Sequence, residues 1–75
     1  MWKEQVMEVL EGHFGTKKEI TETSHFLDDL DGDEIDIVDV TVQICEKLDI
    51  SIPEEETFDI GTVQELLDVV EKNVV

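Results

Sequence analysis

Residues 28–40 read DDLDGDEIDIVDV and place six aspartates and one glutamate among thirteen positions. Aliphatic side chains are interspersed with these acids, as they are in an amphipathic segment. Acids at positions 33, 34 and 36 suit the N-terminus of a helix, where the unpaired backbone N–H groups carry partial positive charge. The stretch therefore predicts that a helix begins close to Asp33.

The segment that follows, residues 33–48, has features of both a strand and a helix. Val40, Val42 and Ile44 alternate with polar residues, and β-branched side chains of this kind favour strands. However, the segment runs for about 15 residues without a break, which is longer than most strands. Lys47 near its end suits a helix C-terminus. We predict a helix.

Two further amphipathic helices flank this segment. Residues 2–11, WKEQVMEVLE, carry apolar residues at helical spacing and are followed by Gly12 and Gly15, which we expect to end the helix. In TVQELLDVVEKN, Thr62 and Glu65 have the spacing of a capping box. That last helix has an apolar stripe of Val63, Leu66, Leu67 and Val70.

The connections between the helices differ in length. Residues 16–33 are mostly polar and predict a long loop, anchored to the core by Ile20, Phe26, Leu27 and Leu30. After the turn at Pro53, Phe58 and Ile60 are expected to anchor a short helical turn. The prediction is an all-α fold, a small bundle of three main helices plus one short helix, in a single domain of residues 1–75.

The net charge limits the kinds of partner that the chain can bind. Five lysines, no arginine and 21 acids give a formal charge of −16. This charge disfavours nucleic acid, because phosphate contacts need a basic surface, and it disfavours anionic lipid for the same reason. A protein with a basic patch is the expected partner, attracted in a salt-sensitive way.

The remaining composition predicts a cytoplasmic monomer. No apolar run approaches the roughly 20 residues of a membrane-spanning helix, and acids interrupt the N-terminal apolar positions where a signal peptide would be continuous. Cys45 is the single cysteine, so no internal disulfide forms, and we expect it to be buried. The acidic run from Asp29 fits a calcium loop poorly, because Glu34 stands where that loop needs glycine. No metal site is predicted.

Three segments together resemble the acyl carrier proteins and, more distantly, the peptidyl carrier domains. They are FLDDLDGDEIDIVDV (26–40), KLDISIPEEE (47–56) and IGTVQELLDVV (60–70). The resemblance spans essentially the whole chain and implies the acyl-carrier four-helix bundle. It also implies a non-catalytic role in fatty-acid, polyketide or peptide assembly. No nucleophile, metal or acid–base pair of an enzyme is evident in the sequence.

The family motif is Asp-Ser-Leu at the start of the second helix, and its serine carries a 4'-phosphopantetheine arm. The matching residues here are Asp33, Glu34 and Ile35, so a glutamate takes the place of the serine. The glycine that usually precedes the motif is Asp31, with Gly32 following it. A carboxylate is not a hydroxyl nucleophile, so we expect no cofactor. Either Glu34 imitates the charge of the arm's phosphate, or it reflects drift after the attachment role was lost.

The resemblance also implies a surface that binds partner enzymes through their basic patches. In the family, acids and exposed apolar residues of the second helix form this surface. Val42 is equally compatible with core packing. The predicted partner-binding residues are Asp33, Glu34, Ile35, Asp36, Asp39, Val42 and Glu46.

Three functional hypotheses follow. The first is a carrier-like interaction module that lacks its own arm and docks on an acyl- or peptidyl-assembly enzyme. The second is a functional acyl carrier protein of lipid or secondary-metabolite biosynthesis that is modified in some unforeseen way. The third is an acidic decoy that blocks a basic protein surface.

Overall fold

The computed structural model describes residues 2–15 and 19–74, and this part of the chain contains four helices. They are α1 (Trp2–Phe14), α2 (Glu34–Leu48), α3 (Glu54–Thr57) and α4 (Val63–Asn73). The described residues form no strand, and their β-type pairing is a single isolated bridge between His25 and Thr62. The predicted all-α fold of three main helices, one short helix and a long first loop is confirmed.

Helix α2 begins where the acidic stretch predicts. Asp33 is the N-cap, and its Oδ1 accepts hydrogen bonds from the backbone N–H groups of Ile35 (3.0 Å) and Asp36 (3.1 Å). In return, Asp36 Oδ2 accepts from the backbone N–H of Asp33 at 2.9 Å. Two carboxylates thus satisfy three backbone donors that a helix start leaves unpaired.

Helix α1 continues beyond Gly12, so the prediction that it ends there is wrong. A glycine inside a helix costs only about 1 kcal/mol relative to alanine, which packing elsewhere in the helix offsets. The helix ends at Phe14, and Gly15 follows with a φ of +86° that favours glycine. The Gly15 N–H donates to the carbonyl of Glu11 at 2.8 Å, which closes the final turn.

The capping box and the apolar stripe predicted for α4 are both confirmed. Thr62 is the N-cap and forms the predicted capping box with Glu65, and all four residues of the predicted stripe are buried. The long loop is attached to the start of this helix. The Phe26 N–H donates to Gly61 O at 3.0 Å, and the Val63 N–H donates to Ser24 O at 3.0 Å.

The two residues just before Asp33 are each under a local constraint. Asp31 adopts a φ of +55°, in the left-handed region that glycine occupies more readily than other residues. At Gly32, a β-carbon would lie 2.9 Å from the Phe14 ring and 3.2 Å from the Phe26 carbonyl oxygen. Glycine is therefore needed at position 32 for space rather than for its backbone conformation.

The core lies where all three main helices meet the long loop, and two of the predicted anchors are absent from it. Leu27 is 55% exposed and Phe58 is 73% exposed. Phe26 is fully buried beside Leu27, and Thr57 and Ile60 are buried on either side of Phe58, so neighbouring residues fill the core at both places.

Cys45, expected to be buried, is only half-buried. The core residues are Val6, Val9, Leu10, Phe26, Leu30, Ile37, Val40, Ile44, Ile60, Val63, Leu66, Leu67 and Val70.

None of the helices in residues 2–15 and 19–74 combines the length and the apolar character that crossing a membrane requires.

Candidate partner-binding site

Four of the predicted partner-binding residues form one exposed stripe along α2. Ile35, Asp39, Val42 and Glu46 are spaced by four, three and four positions, which places them on one side of a helix. All four are exposed, Ile35 by 72% and Val42 by 50%. Of the two interpretations of Val42, core packing is therefore wrong.

Glu34 is the first residue of α2 and is exposed to solvent. Its position in the first turn places a negative charge beside the partially positive end of the helix, which stabilises an anion there. Its side chain also borders a groove next to the exposed Ile35. Negative charge and apolar surface therefore lie side by side at the start of α2.

Asp33 and Asp36, also predicted to bind partners, are already engaged within the chain. Both belong to the capping box of α2, and Asp36 Oδ1 additionally accepts a hydrogen bond from His13 Nε2 at 2.9 Å. The hydrogen bond from His13 and the one from the Asp33 backbone are the main causes that lower the pKa of Asp36 below its ordinary value of 3.8. These two aspartates therefore fix the start of α2, and Asp36 also connects it to α1.

The contact between His13 and α2 was missed at the sequence level. His13 Nδ1 lies 3.3 Å from Gln43 Nε2, so the same ring spans two turns of α2. In its neutral form, the ring donates through Nε2 to Asp36 and accepts through Nδ1 from Gln43. The two helices are far apart in sequence here, and the pattern of α1 alone carries no signal of this contact.

Two adjacent grooves run along the exposed side of α2. The larger has a volume of about 490 Å³ and the smaller about 340 Å³. Both are bordered by Val38 and Thr57, so they lie side by side between α2 and the α3 region, and we call the two grooves together the trough. Among the described residues, those lining the trough include three glutamates and no basic side chain. The glutamates are Glu34, Glu46 and Glu54.

Leu27 and Phe58 are exposed apolar residues of the trough that sequence reasoning did not assign to a surface. Leu27 was predicted to anchor the long loop to the core and Phe58 to anchor a short helical turn, yet both line the larger groove together with Ile35. A partial signal was available, because Leu27 directly follows Phe26 and two consecutive residues seldom both point into one small core. No comparable signal marks Phe58.

The described lysines lie away from the trough. Lys47 Nζ is 3.1 Å from Glu8 Oε2 on α1, and Lys3 Nζ lies 5.8 Å from the centre of the Trp2 ring. Lys72 Nζ is 3.0 Å from Glu56 Oε1, an ion pair that joins the end of α4 to α3. Among the described residues, therefore, no lysine lines the trough beside its glutamates.

Comparison with known proteins agrees with this architecture. The family model described as "Phosphopantetheine attachment site" matches residues 4–70. The chain belongs to this family. It is 34% identical over 71 residues to the acyl carrier protein of Chlorobium phaeovibrioides, covering 93% of this chain and 91% of that protein. It is 31% identical over 70 residues to the acyl carrier protein of Syntrophobacter fumaroxidans, covering 92% of this chain and 86% of that protein.

Membership in the phosphopantetheine-attachment family establishes the general class of the protein. Members of this family are non-catalytic carriers, in agreement with the expectation that the chain is not an enzyme. The family uses 4'-phosphopantetheine, and acyl carrier proteins interact with enzymes of acyl or peptidyl assembly.

In a carrier-family protein, the hydroxyl groups near the start of α2 are of particular interest, because the arm is esterified to a hydroxyl. Ser24 is buried, and its Oγ accepts from the Thr21 N–H at 3.0 Å. Thr41 is buried, and its hydroxyl donates to Ile37 O at 2.8 Å. Ser51 is exposed but follows the far end of α2, roughly 20 Å from the first turn at 1.5 Å of rise per residue.

Proposed function

We propose that the chain is a carrier-family interaction module that docks on a basic patch of an acyl- or peptidyl-assembly enzyme and has no phosphopantetheine arm of its own. The observation that carries this proposal is the position of Glu34. It is the exposed first residue of α2, directly after the N-cap Asp33, where the resemblance to the family motif places the serine. Its carboxylate cannot form the phosphodiester by which the arm is attached.

The charge and shape of the α2 surface support docking. Asp39 and Glu46 are exposed on the same stripe as Ile35 and Val42, so acids alternate with apolar side chains. Exposed ion pairs contribute at most about 1 kcal/mol each, so their main effect is on association rate and orientation. The apolar residues between them would supply the area that must be buried for a lasting contact. The net charge of −16 also opposes self-association, in keeping with a monomer.

A second candidate function, a working acyl carrier, is favoured by one observation. The two relatives named as acyl carrier proteins align with more than nine-tenths of this chain. On that hypothesis, a hydroxyl outside the motif takes the arm, and Ser51 is the exposed candidate just beyond α2. The intact mass of the protein separates the two functions. No comparable observation favours the third hypothesis, an acidic decoy.

Docking is tested with the purified chain immobilised and a lysate of its native host passed over it at low and at high salt. We expect an acyl- or peptidyl-assembly enzyme to be retained at low salt and released at high salt, because screening weakens exposed charge pairs. The affinity of that enzyme is then measured for wild type, Glu34→Ala and Glu34→Lys.

Glu71→Lys is the matched control, because Glu71 is exposed on α4 and the substitution changes the net charge equally. Glu34→Lys should weaken binding by about tenfold or more, while Glu71→Lys should have a much smaller effect. Equal affinities for the two lysine variants would contradict docking through α2. If Glu34→Ala binds as tightly as wild type, Glu34 does not imitate the phosphate.

A further inference from the structure

The short helix α3 has few internal contacts that hold it in place. It has four residues, its N-cap Pro53 forms no side-chain cap, and its first turn consists of three consecutive glutamates. These like charges repel one another, and a helix this short is unstable by itself in water. A hydrogen bond from the Thr57 hydroxyl to Glu54 O, at 2.6 Å, stays within the same turn. Contacts with the rest of the protein must therefore keep α3 in position.

The α3 segment covers part of the core. Thr57 is buried and borders both grooves of the trough, beside the buried Ile37 in the larger groove and the buried Thr41 in the smaller one. These two α2 side chains would lose cover if α3 moved away from α2. The position of α3 therefore decides how well this part of the core is shielded from water.

An ion pair joins α3 to the last turn of α4. Lys72 Nζ lies 3.0 Å from Glu56 Oε1. That oxygen is buried and accepts no well-aligned hydrogen bond from the described residues, so the positive charge of Lys72 is what compensates it. Removal of Lys72 would leave a buried carboxylate oxygen without compensation, which is unfavourable. The ion pair of Lys47 with Glu8 differs, because both of its side chains are exposed and such pairs contribute little.

We propose that the ion pair between Glu56 and Lys72 is a latch that holds α3 against the bundle, and that the α3 segment opens away from α2 when the latch breaks. Backbone hydrogen bonds at Ile50 and Gly61 fix the two ends of this segment, so residues 51–60 are the part that opens. The latch thereby controls how readily water reaches the core beneath α3. This inference does not depend on the proposed docking function.

Exchange of backbone amide hydrogens with solvent measures this opening in the full chain, labelled with ¹⁵N. The N–H groups of Glu56 and Ile60 donate to backbone oxygens within the segment, so both become free to exchange when it opens. After correction for the intrinsic rate of each residue, they should exchange at least about tenfold faster in wild type than the amide of Leu10 in the core, because a local opening costs less than global unfolding. In Lys72→Met their exchange should be at least about fivefold faster than in wild type.

Three controls show whether the effect belongs to the ion pair, and circular dichroism checks that each variant is folded. The Gly15 amide, bonded within the last turn of α1, should change by less than about twofold in Lys72→Met, because its local opening leaves the latch intact. When Glu56→Gln has already removed the partner, Lys72→Met should change exchange at Ile60 by less than about twofold. Lys47→Met makes the same charge change but breaks an exposed ion pair, so it should also leave Ile60 within about twofold of wild type.

Three results would overturn the inference. If Glu56 and Ile60 exchange no faster than Leu10 in wild type, α3 does not open as a separate unit. If Lys72→Met leaves both amides at the wild-type rate, the Glu56 side chain has turned out to solvent and the segment stays closed without the ion pair. If the Gly15 amide accelerates as much as that of Ile60, the substitution destabilises the whole protein rather than α3. None of these results affects the docking proposal, which the affinity measurements test separately.

Discussion

The two glycines at positions 12 and 32 show how differently the same residue type can act in one small protein. Gly12 lies inside α1, and apart from its two chain neighbours and the backbone of its own helix, no atom lies within 4 Å of the place where a β-carbon would be. Gly32 lies against the Phe14 ring and the Phe26 backbone. The first position has room for a side chain, and the second does not.

This contrast predicts opposite effects of the same substitution. Gly32→Ala should lower the free energy of unfolding by about 1–3 kcal/mol, because the Phe26 carbonyl cannot move aside easily. Gly12→Ala should raise it by up to about 1 kcal/mol through helix propensity. Urea unfolding of both variants checks the pair. Equal effects of the two substitutions would show that Gly32 is not packed as described.

At the scale of a single element, α2 carries a strained C-terminus. Its C-cap, Asp49, has a φ of +55°, and its N–H donates to Cys45 O. Glycine adopts this conformation without the steric penalty of a β-carbon, which is why it is the usual residue after a helix.

Asp49→Gly should therefore stabilise the protein, by a few tenths up to about 1 kcal/mol. The matched control is Asp39→Gly, which removes the same charge at an exposed position inside α2. That control should destabilise the protein by about 0.5–1 kcal/mol. Melting temperatures in one buffer compare the two, and a fall for Asp49→Gly would contradict the strain assigned to this cap.

The contact of α1 with α2 predicts that the stability of the protein depends on pH. His13 and the Asp33 N–H favour the ionised form of Asp36 and lower its pKa in the folded state. A carboxylate with a lowered folded pKa stabilises the protein fully above its unfolded pKa, here near 3.8, and the stabilisation is lost as the pH falls through the folded pKa. Asp36→Asn should therefore have a lower free energy of unfolding than wild type at neutral pH. This difference between the two proteins should shrink in acid.

Urea unfolding at about pH 7 and about pH 3 measures the difference in free energy of unfolding between wild type and Asp36→Asn. The control is Asp39→Asn, because Asp39 is exposed on the same helix and forms no hydrogen bond with His13. Its difference in stability from wild type should change much less between the two pH values. A difference between wild type and Asp36→Asn that is the same at both pH values would mean that the carboxylate of Asp36 contributes nothing through its charge.

At the scale of the whole molecule, the acids repel one another across the entire surface. The protein measures 31 × 24 × 18 Å, and the Debye length is about 30 Å at 0.01 M salt and about 3 Å at 1 M. At low salt, therefore, charges on opposite sides of the protein still interact. With a net charge of −16, this interaction is destabilising.

The melting temperature should consequently rise as sodium chloride is increased from about 0.01 M to about 1 M. Glu71→Lys makes the net charge less negative by two units, so it should melt higher at low salt and gain less from added salt. A melting temperature that is independent of salt in wild type would show that the acids are spaced widely enough to avoid mutual repulsion.

Much of this fold could be predicted from sequence because its signals are local. The capping box of Thr62 and Glu65 and the stripe that ends at Val70 specify α4 within twelve residues, and the acids at the start of α2 act through the same kind of short-range contact. The contact of His13 with Asp36 was not predictable, since it depends on how two distant helices meet. Gly12 was misjudged because a weak local preference yields to packing.

The site was predicted in part, and the errors have a common cause. The α2 residues followed from the resemblance to a family, whereas Leu27 and Phe58 were predicted as anchors because hydrophobicity alone does not say which side a residue faces. Natural sequences depart from local rules chiefly at functional surfaces. Leu27 and Phe58 are exposed apolar residues that line the trough.

The central claim, that the chain docks but carries no arm, is tested most directly by its intact mass after co-expression with a phosphopantetheinyl transferase. Glu34→Ser, expressed in the same way, is the positive control and should gain the mass of one phosphopantetheine group. The account predicts that the wild-type protein has the mass of its unmodified sequence. A wild-type protein that carries a phosphopantetheine group at any residue would contradict it.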